Sequence, residues 1–511
     1  MKKLRPYESA LVILGLLFLI GFFSVFPLGP SMVFAQNDAD LFEELEQSIP
    51  KAKSPHQTPD NGSKNGPSDK SDKALFDELE NKNPPLLTPS SDAWMAKLGE
   101  NFEGSLRLRY SSFLNTPGEQ TVTDRNSHAG EALFRFATGS GSDDFKIKVS
   151  GWAEAGIDKN NYQGVSHWPQ DRSNDRRHLE LNEVYAVISG DTADITIGKK
   201  LFKTGICTLF SPSDRFRPMD LTDPLDPKQF GIWQARADYY PGDHALTLAI
   251  LPVYTDKKVP SPDSRWWGLF ANDPFIGQIQ KEDPDISLEN VTYFARYKTT
   301  RKGWDFFMST HFGPSPYSVV KLEGLTPKED IISVFTLAGG FSTTRGNFEI
   351  HGESLYNLSR EDKDQDYVSS VFGFTYTFGE TAGRVHMEEI VLTLEYAGEI
   401  ILDQQRADTY IISSQEGRPG ANDFLSKILL KYDENLAFEN LFHYEISDKA
   451  WMNRFEVSYR FGAGWTGTCA VELFGGKENL VPDAGRINFD TISYAQWKEN
   501  DRLVVCLTYE F

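Results

Sequence analysis

From about residue 100 to the end of the chain, apolar and polar side chains alternate with a period of two residues. In the last ten residues one face carries Leu503, Val505, Leu507, Tyr509 and Phe511, and the polar residues take the other face. This is the period of a β-strand, because successive side chains in a strand point to opposite sides. Strands of about ten residues with one apolar and one charged face are typical of a transmembrane barrel, whereas those of a soluble sandwich are usually shorter. We therefore expect an all-β fold, a transmembrane antiparallel β-barrel.

The same pattern divides residues 100–511 into about 18 strands, an even number as bacterial barrels require. The connections between them alternate between short and long almost throughout the chain, as tight periplasmic turns and long external loops would. The alternation is weakest at the short external link 448–450 and at the longer turn 379–388. The expected strands lie near 104–113, 132–138, 145–157, 178–188, 194–201, 231–240, 245–252, 290–299, 304–312, 331–342, 346–357, 366–378, 389–400, 423–433, 436–447, 451–461, 465–475 and 502–511.

The N-terminus has the pattern of an export signal. Three basic residues precede an apolar run over residues 10–26, and the small residues Val33 and Ala35 fit a cleavage site after Ala35. We expect residues 1–35 to be a signal peptide. An uncleaved anchor is the alternative, since the run approaches the length of a membrane helix.

Residues 36–99 are rich in Pro, Gly, Ser and Lys around their centre, and such a segment cannot bury enough apolar surface to order itself. We expect a disordered periplasmic linker with two short acidic amphipathic helices, at 40–46 and 74–80. Two similar helices on one linker suggest docking to a periplasmic partner, whereas a low-complexity tail is the simpler interpretation. The expected docking residues are Leu41, Phe42, Leu45, Leu75, Phe76 and Leu79.

Composition and motifs exclude several classes of function for this chain. A net charge of −21 argues against nucleic acid as a ligand, and three cysteines exclude a disulfide-stapled scaffold. The nine histidines are scattered and no hydrolase or phosphate-binding motif is present, so we expect neither an enzyme, nor a cofactor, nor a metal site.

The acidic sequence around Asp362, Asp364 and Asp366 begins like a calcium loop. It lacks the glycine and the glutamate that such a loop needs, so a solvated turn is the better interpretation.

The export signal, the barrel pattern and the terminal phenylalanine together resemble Gram-negative outer-membrane barrels. This resemblance implies an outer-membrane location with the N-terminal segment in the periplasm, contact with lipid and lipopolysaccharide, and recognition of Tyr509 and Phe511 by the barrel-assembly machinery. More narrowly, the segments 195–205, 211–224 and 236–241 are similar to those of porin-like and alginate-export-type barrels.

If the apolar face of each strand meets lipid, its charged face points into the lumen. The expected pore-lining residues are Arg107, Arg109, Arg135, Lys146, Lys148, Glu154, Arg236, Asp238, Arg296, Arg454, Glu456 and Arg460. The alternative for each residue is an ion pair across neighbouring strands that only stiffens the barrel.

The connection 203–232 contains four prolines and six charges, and proline lowers the entropy of a loop, so we expect this connection to be ordered. It is the best candidate for a constriction, although an ordered cap outside the barrel would have the same composition. Its charged residues are Asp214, Arg215, Arg217, Asp220, Asp223 and Asp226.

Two functions fit this sequence. The first is an outer-membrane channel or export conduit that passes polar or charged solutes through a charge-lined lumen. The second is a non-conducting barrel that acts as a receptor, an adhesin or an assembly partner through its loops.

Overall fold

The computed structural model describes residues 101–116, 124–157, 162–173, 175–261, 264–267, 279–281, 284–359, 362–406, 409–476 and 494–511. The expected signal peptide, the linker and its docking residues lie outside this part of the chain.

Eighteen strands form the wall of the molecule, and we number them β1 to β18 in chain order. Their bounds are Glu103–Phe113, His128–Gly141, Phe145–Gly156, Leu179–Ser189, Ala193–Lys200, Ile232–Tyr239, His244–Leu251, Thr292–Arg301, Trp304–Pro314, Ser333–Arg345, Phe348–Ser359, Asp366–Thr377, Glu389–Asp403, Asn422–Lys431, Leu436–Glu445, Ala450–Gly462, Trp465–Gly475 and Arg502–Glu510.

Each strand pairs antiparallel with the next along the chain, and β1 pairs antiparallel with β18, where Arg107 lies opposite Thr508. The sheet is therefore a closed barrel, in which no strand has an unpaired edge. The expectation of an antiparallel barrel with about 18 strands is confirmed, and each expected strand overlaps an observed one.

The alternating sequence places apolar side chains on the outside of the barrel. On β1, for example, Leu106, Leu108 and Tyr110 are 40–50% exposed, whereas Arg109 between them is buried. An apolar exterior on a closed barrel is what contact with lipid requires, because closure pairs both edges of each described wall strand with a neighbour. No helix in the described part of the chain is both long and apolar enough to cross a membrane.

Aromatic side chains gather on the outside at the short-turn end of the barrel. Phe511 stacks on Phe134 and on Phe102 with ring centroids 6.3 Å apart, and the ring of Trp465 lies tilted against that of Tyr509 at 4.7 Å. Amphipathic rings at this level form the interfacial belt that membrane-spanning barrels carry.

The connections contain small elements of their own. The turn after β12 contains a six-residue α-helix, Gly379–Arg384, and short 3₁₀ helices cover Leu288–Asn290, Ser414–Gly417 and Tyr494–Asn500. At the long-loop end, Val319–Glu323, Thr326–Asp330 and Tyr410–Ile412 form a separate three-stranded sheet. The alternation did not predict these pieces, because they are too short to repeat a pattern.

Candidate constriction loop inside the barrel

The connection between β5 and β6, residues 201–231, folds into the interior of the barrel, and we call it the inner loop. It contains a two-residue ribbon in which Met219–Asp220 pairs with Lys228–Gln229. Its side chains and backbone bind side chains of β1, β11, β13 and β18, none of which neighbours β5 or β6. Because these strands lie on different sides of the ring, the inner loop crosses the lumen.

Two aspartates fasten the inner loop to the wall on the side where the barrel closes. Asp223 pairs with Arg109 of β1 at 2.9 Å and with Arg502 of β18 at 2.8 Å, and Asp226 pairs with Arg107 at 2.6 Å. Burial alone would raise the pKa of both aspartates. The arginine charges outweigh that effect and hold each pKa below its ordinary range. Both carboxylates are therefore ionised and locked in place at neutral pH.

A second buried ion-pair network lies beside the first. Lys228 of the inner loop donates to Glu154 of β3 at 2.5 Å. Arg176, which precedes β4, contacts Glu154 and Glu131 at 3.4 Å and Asp220 at 3.5 Å. All five side chains are buried. Since a buried charge is tolerated only when it is paired, these contacts hold the inner loop, strands β2 and β3 and the segment before β4 in one arrangement.

The opposite end of the inner loop rests on the carboxylate of Glu353 in β11. Glu353 Oε1 accepts hydrogen bonds from the backbone N–H groups of Ile206 and of Cys207 (2.7 Å), and Oε2 accepts from the hydroxyls of Ser211 and Ser213, both at 2.6 Å. Burial raises the pKa of the Cys207 thiol, and the charge of Glu353 raises it further, so the thiol stays protonated.

Glu395 of β13 binds the next turn of the loop. Its carboxylate accepts hydrogen bonds from the backbone N–H groups of Thr208, Leu209 and Phe210 at 2.8–3.0 Å. His351 of β11 also contacts Glu395, with its Nε2 2.9 Å from Oε1. Gly373 lies between them in the register, and a Cβ there would come within 2.5 Å of Glu395 Cγ and 2.7 Å of His351 Nε2. A glycine at this position therefore gives both side chains room to meet.

The six charged residues expected in the constriction loop all lie in the inner loop, and they have different partners. Asp214 pairs with Arg217 at 3.0 Å and accepts from the backbone N–H of Thr204, and burial raises its pKa despite these contacts. Arg215 donates to the hydroxyl of Tyr367 at 3.1 Å. Asp220, Asp223 and Asp226 join the two networks described above.

The twelve residues expected to line the pore occupy the interior face of their strands, opposite the exposed apolar side chains. Arg109, Glu154 and Asp238 are buried, the first two beneath the inner loop, so they do not border open space. Arg107 and Arg454 also touch the loop, with Arg454 donating to the carbonyl of Leu225 at 3.0 Å. The others are at least partly accessible: Arg135, Lys146, Lys148, Arg236, Arg296, Glu456 and Arg460.

The interior faces of β5, β6 and β8 carry four cations: Lys200, Arg236, Arg296 and Lys298. Lys200 lies over the ring of Tyr185 at 4.6 Å, and Arg296 lies over Phe307 at 4.7 Å. Arg236 is the member of this group that has a carboxylate partner, Asp238 at 2.7 Å. Within the described residues, no carboxylate lies within 4 Å of the charged atoms of Lys200, Arg296 or Lys298. We call these four residues the basic arc.

The sequence did not identify several residues that hold the inner loop. Glu131, Arg176, Lys228, His351, Glu353 and Arg502 were not expected at the site, and neither was the contact of Glu395 with the inner loop. The alternation gives the direction of a side chain, but it does not say which distant segment that side chain meets. One available signal was glycine at interior positions: a Cβ at Gly340 would come within 2.9 Å of Glu353 Cγ, and Gly373 makes room beside Glu395.

The cysteines and acidic clusters add no reactive group to this picture. Cys207, Cys469 and Cys506 are free thiols. In the described ranges, no group of three or more His, Cys, Asp or Glu side chains is arranged to hold a metal ion.

Comparison with protein-family models gives no match, and neither does comparison with curated protein sequences. Among solved structures, the chain is similar to OccK3 (OpdO) of Pseudomonas aeruginosa, with 11% identity, a TM-score of 0.44, and coverage of 82% of this chain and 97% of that one. It is similar to OccK11 (OpdR) of the same organism, with 10% identity, a TM-score of 0.44 and coverage of 80% and 95%. A BenF-like porin from Pseudomonas fluorescens gives 10% identity, a TM-score of 0.45 and coverage of 80% and 98%.

At these scores the fold assignment rests on the strand pairing of this chain itself. The resemblance to alginate-export-type barrels stays a prediction.

Proposed function

We propose that this protein is an outer-membrane channel of a Gram-negative bacterium that passes small polar or charged solutes, with the inner loop as its constriction. The observation that carries the proposal is a single ordered loop, fixed by buried carboxylates and ion pairs, that crosses the interior of a closed barrel with an apolar exterior. A loop held in this way sets the width of a pathway without changing the wall.

Deletion of residues 211–226 tests this role in planar lipid bilayers. It removes both aspartate anchors and two buried prolines, so unitary conductance should rise several-fold and ion selectivity should weaken. Deletion of 323–326 is the matched control, because it shortens an exposed hairpin whose tip residue, Leu325, is 97% exposed. Equal conductance of an inserted 211–226 deletion and the intact protein would contradict the constriction. Absence of unitary currents from the intact, inserted protein would favour the receptor or adhesin function.

We further propose that the basic arc favours anions. Three of its four cations have no carboxylate of the described residues within 4 Å, so they attract negative solutes into the lumen. Replacing Arg296 and Lys298 by Gln should move the reversal potential in a salt gradient toward cation preference. Arg172→Gln is the control, because that residue forms an exposed pair with Asp285 in the loops. An unchanged reversal potential in the double variant would contradict the role of the arc.

A further inference from the structure

A row of buried polar side chains crosses four neighbouring strands behind the inner loop. His311 of β9 lies opposite Thr336 of β10, which lies opposite Asn357 of β11, which lies opposite Tyr367 of β12. Each of the four is no more than 2% exposed. Paired residues in an antiparallel sheet point to the same side, so these groups face one shared space.

Two of these side chains have unused hydrogen-bonding capacity. Within the described residues, neither Nδ1 nor Nε2 of His311 has a partner, and neither Oδ1 nor Nδ2 of Asn357 has one. Buried polar groups are almost always hydrogen-bonded, because leaving one without a partner costs about 1–3 kcal/mol. Four such atoms in one row are therefore available to bind a polar group.

Arg215 of the inner loop brings a positive charge to the same place. Its Nη1 donates to Tyr367 Oη at 3.1 Å, and its Nη2 lies 3.5 Å from Ser315 Oγ. The residue after it, Phe216, packs edge-on against the ring of His311 with centroids 5.0 Å apart. The inner loop therefore presents Arg215 to the polar row rather than to the open lumen.

The guanidinium of Arg215 is buried without an opposite charge. The side chain is 6% exposed, its Nε has no hydrogen-bond partner, and no carboxylate of the described residues lies within 4 Å of it. Asp214 beside it is engaged by Arg217 and by the backbone of Thr204. Nearby, Arg418 lies 3.9 Å above the Tyr367 ring and pairs with Glu399 at 2.5 Å. The charge of Glu399 is therefore already matched by Arg418 and does not compensate that of Arg215. A buried cation in this condition is costly unless an anion accompanies it.

We propose that Arg215, Asn357 and His311 form a binding site for a small monovalent anion between the inner loop and strands β9–β12. Arg215 Nε–H and Asn357 Nδ2–H₂ donate to the anion, and so does whichever His311 nitrogen carries its proton. Tyr367 accepts from Arg215, so its own hydroxyl proton is also available. Water alone would satisfy the amide and the imidazole but would leave the guanidinium charge uncompensated. The site would make a bound anion part of what holds the inner loop in place, independently of whether the barrel conducts.

The anion could be an inorganic ion from the medium or the carboxylate of a solute in the lumen, and two probes distinguish these sources. The full chain in detergent is titrated with sodium bromide or with sodium acetate, at constant ionic strength maintained by a bulky sulfonate that carries no carboxylate. The readout is the temperature at which the folded, heat-modifiable form is lost. The intact protein should be stabilised saturably by at least one probe. Stabilisation by bromide alone indicates an inorganic ion, and displacement of bromide by acetate indicates a carboxylate.

Arg215→Met should raise the anion concentration that gives half of the maximal stabilisation about tenfold or more, as loss of a charged hydrogen bond would. Arg217→Met is the control, because that residue lies two positions further along, is paired with Asp214 and is 30% exposed. Asn357→Asp keeps the proposal testable if Arg215→Met does not fold. It supplies a carboxylate of its own and should abolish the anion dependence while the barrel stays folded.

Anomalous diffraction from bromide-soaked crystals locates the ion when bromide is the stabilising probe, and the peak should lie within hydrogen-bonding distance of Arg215 and Asn357. The proposal is overturned if Arg215→Met keeps the anion dependence of the intact protein. It is also overturned if the bulky sulfonate substitutes fully for both probes, because the site then prefers no small anion.

Discussion

Asp223 and Arg502 form a two-point ion pair, in which Nη1 and Nη2 of the arginine donate to the two carboxylate oxygens at 2.8 and 2.9 Å. The pair joins the inner loop to the strand that closes the barrel, and both side chains are buried.

Asp223→Asn should therefore destabilise the folded barrel by about 3 kcal/mol, because it leaves two buried arginines short of a counter-charge. The measurement is the denaturant midpoint of the folded, heat-modifiable form. Asp285→Asn is the control, since its pair with Arg172 is exposed and its loss should have no measurable effect. Equal midpoints for Asp223→Asn and the intact protein would mean that the buried pair makes no net contribution to the free energy of unfolding.

The pKa values of Asp223 and Asp226 predict how this contribution varies with pH. An acid whose pKa is lower in the folded state stabilises that state above its unfolded pKa, about 4 for aspartate, and loses this effect as pH falls toward the folded value. The stability difference between the intact protein and Asp223→Asn should be constant from pH 7 to about 5 and should shrink below about 4. Unfolding at a series of pH values measures it. A difference that grows on acidification would contradict the assigned sign.

Glu395→Gln should loosen the inner loop while leaving the wall closed. The substitution removes the charge and turns one acceptor into a donor that faces backbone N–H groups, at a cost of about 1–3 kcal/mol. We expect larger current fluctuations or a raised conductance in bilayers. Glu439→Gln is matched to it, because Glu439 is also on an interior strand face but pairs with Lys427. If both variants show the same conductance and the same current fluctuations, Glu395 has no specific role in holding the inner loop.

Phe511→Asp should reduce insertion into the outer membrane. It removes a ring that stacks on Phe102, Phe134 and Tyr509 and places a charge on the apolar side of the barrel. Phe511→Trp preserves an interfacial aromatic ring and should insert normally. The yield of heat-modifiable protein in the membrane fraction is the measurement, and undiminished yield of Phe511→Asp would contradict the assigned role of this residue in assembly.

The two short acidic helices expected at 40–46 and 74–80 in the N-terminal linker lead to a separate prediction. If they dock to a periplasmic partner, replacing Leu41, Phe42 and Leu45 by Ser should weaken capture partly, since a second copy remains on the same chain. Replacing Leu75, Phe76 and Leu79 as well should abolish it. Crosslinking from position 42 or 76 in intact cells measures this, and the absence of a specific adduct from both positions would leave only a low-complexity tail.

The strands were predictable because lipid imposes one rule on every turn-to-turn segment of the wall, namely that alternate residues be apolar. The rule is less exact at strand ends. Strand β2 was expected at 132–138 and extends over His128–Gly141, and β13 continues to Asp403 rather than 400. In both cases the pairing of backbone groups with a neighbour continues after the clean alternation has ended.

The site was less predictable because it depends on contacts between segments far apart in the sequence. Composition showed that an ordered, charged loop follows β5, but nothing local to Glu353 or Glu395 indicates that their oxygens accept backbone N–H groups of that loop. The same holds for Arg215, whose burial depends on where the inner loop lies against β12.

The closing pair of strands has a consequence for how the barrel forms. Arg107 lies opposite Thr508, about 400 residues later, so the last rows of hydrogen bonds join nearly the two ends of the described chain. Contacts at such separation require the chain entropy to be lost before any stabilisation is gained, which makes folding slow. Until the final strand arrives, β1 presents a row of unpaired backbone groups that another chain could bind. Correct assembly of this protein therefore depends on a kinetic competition between closure by the final strand and binding of the open β1 edge by another chain. Shielding of that edge before closure favours the correct product.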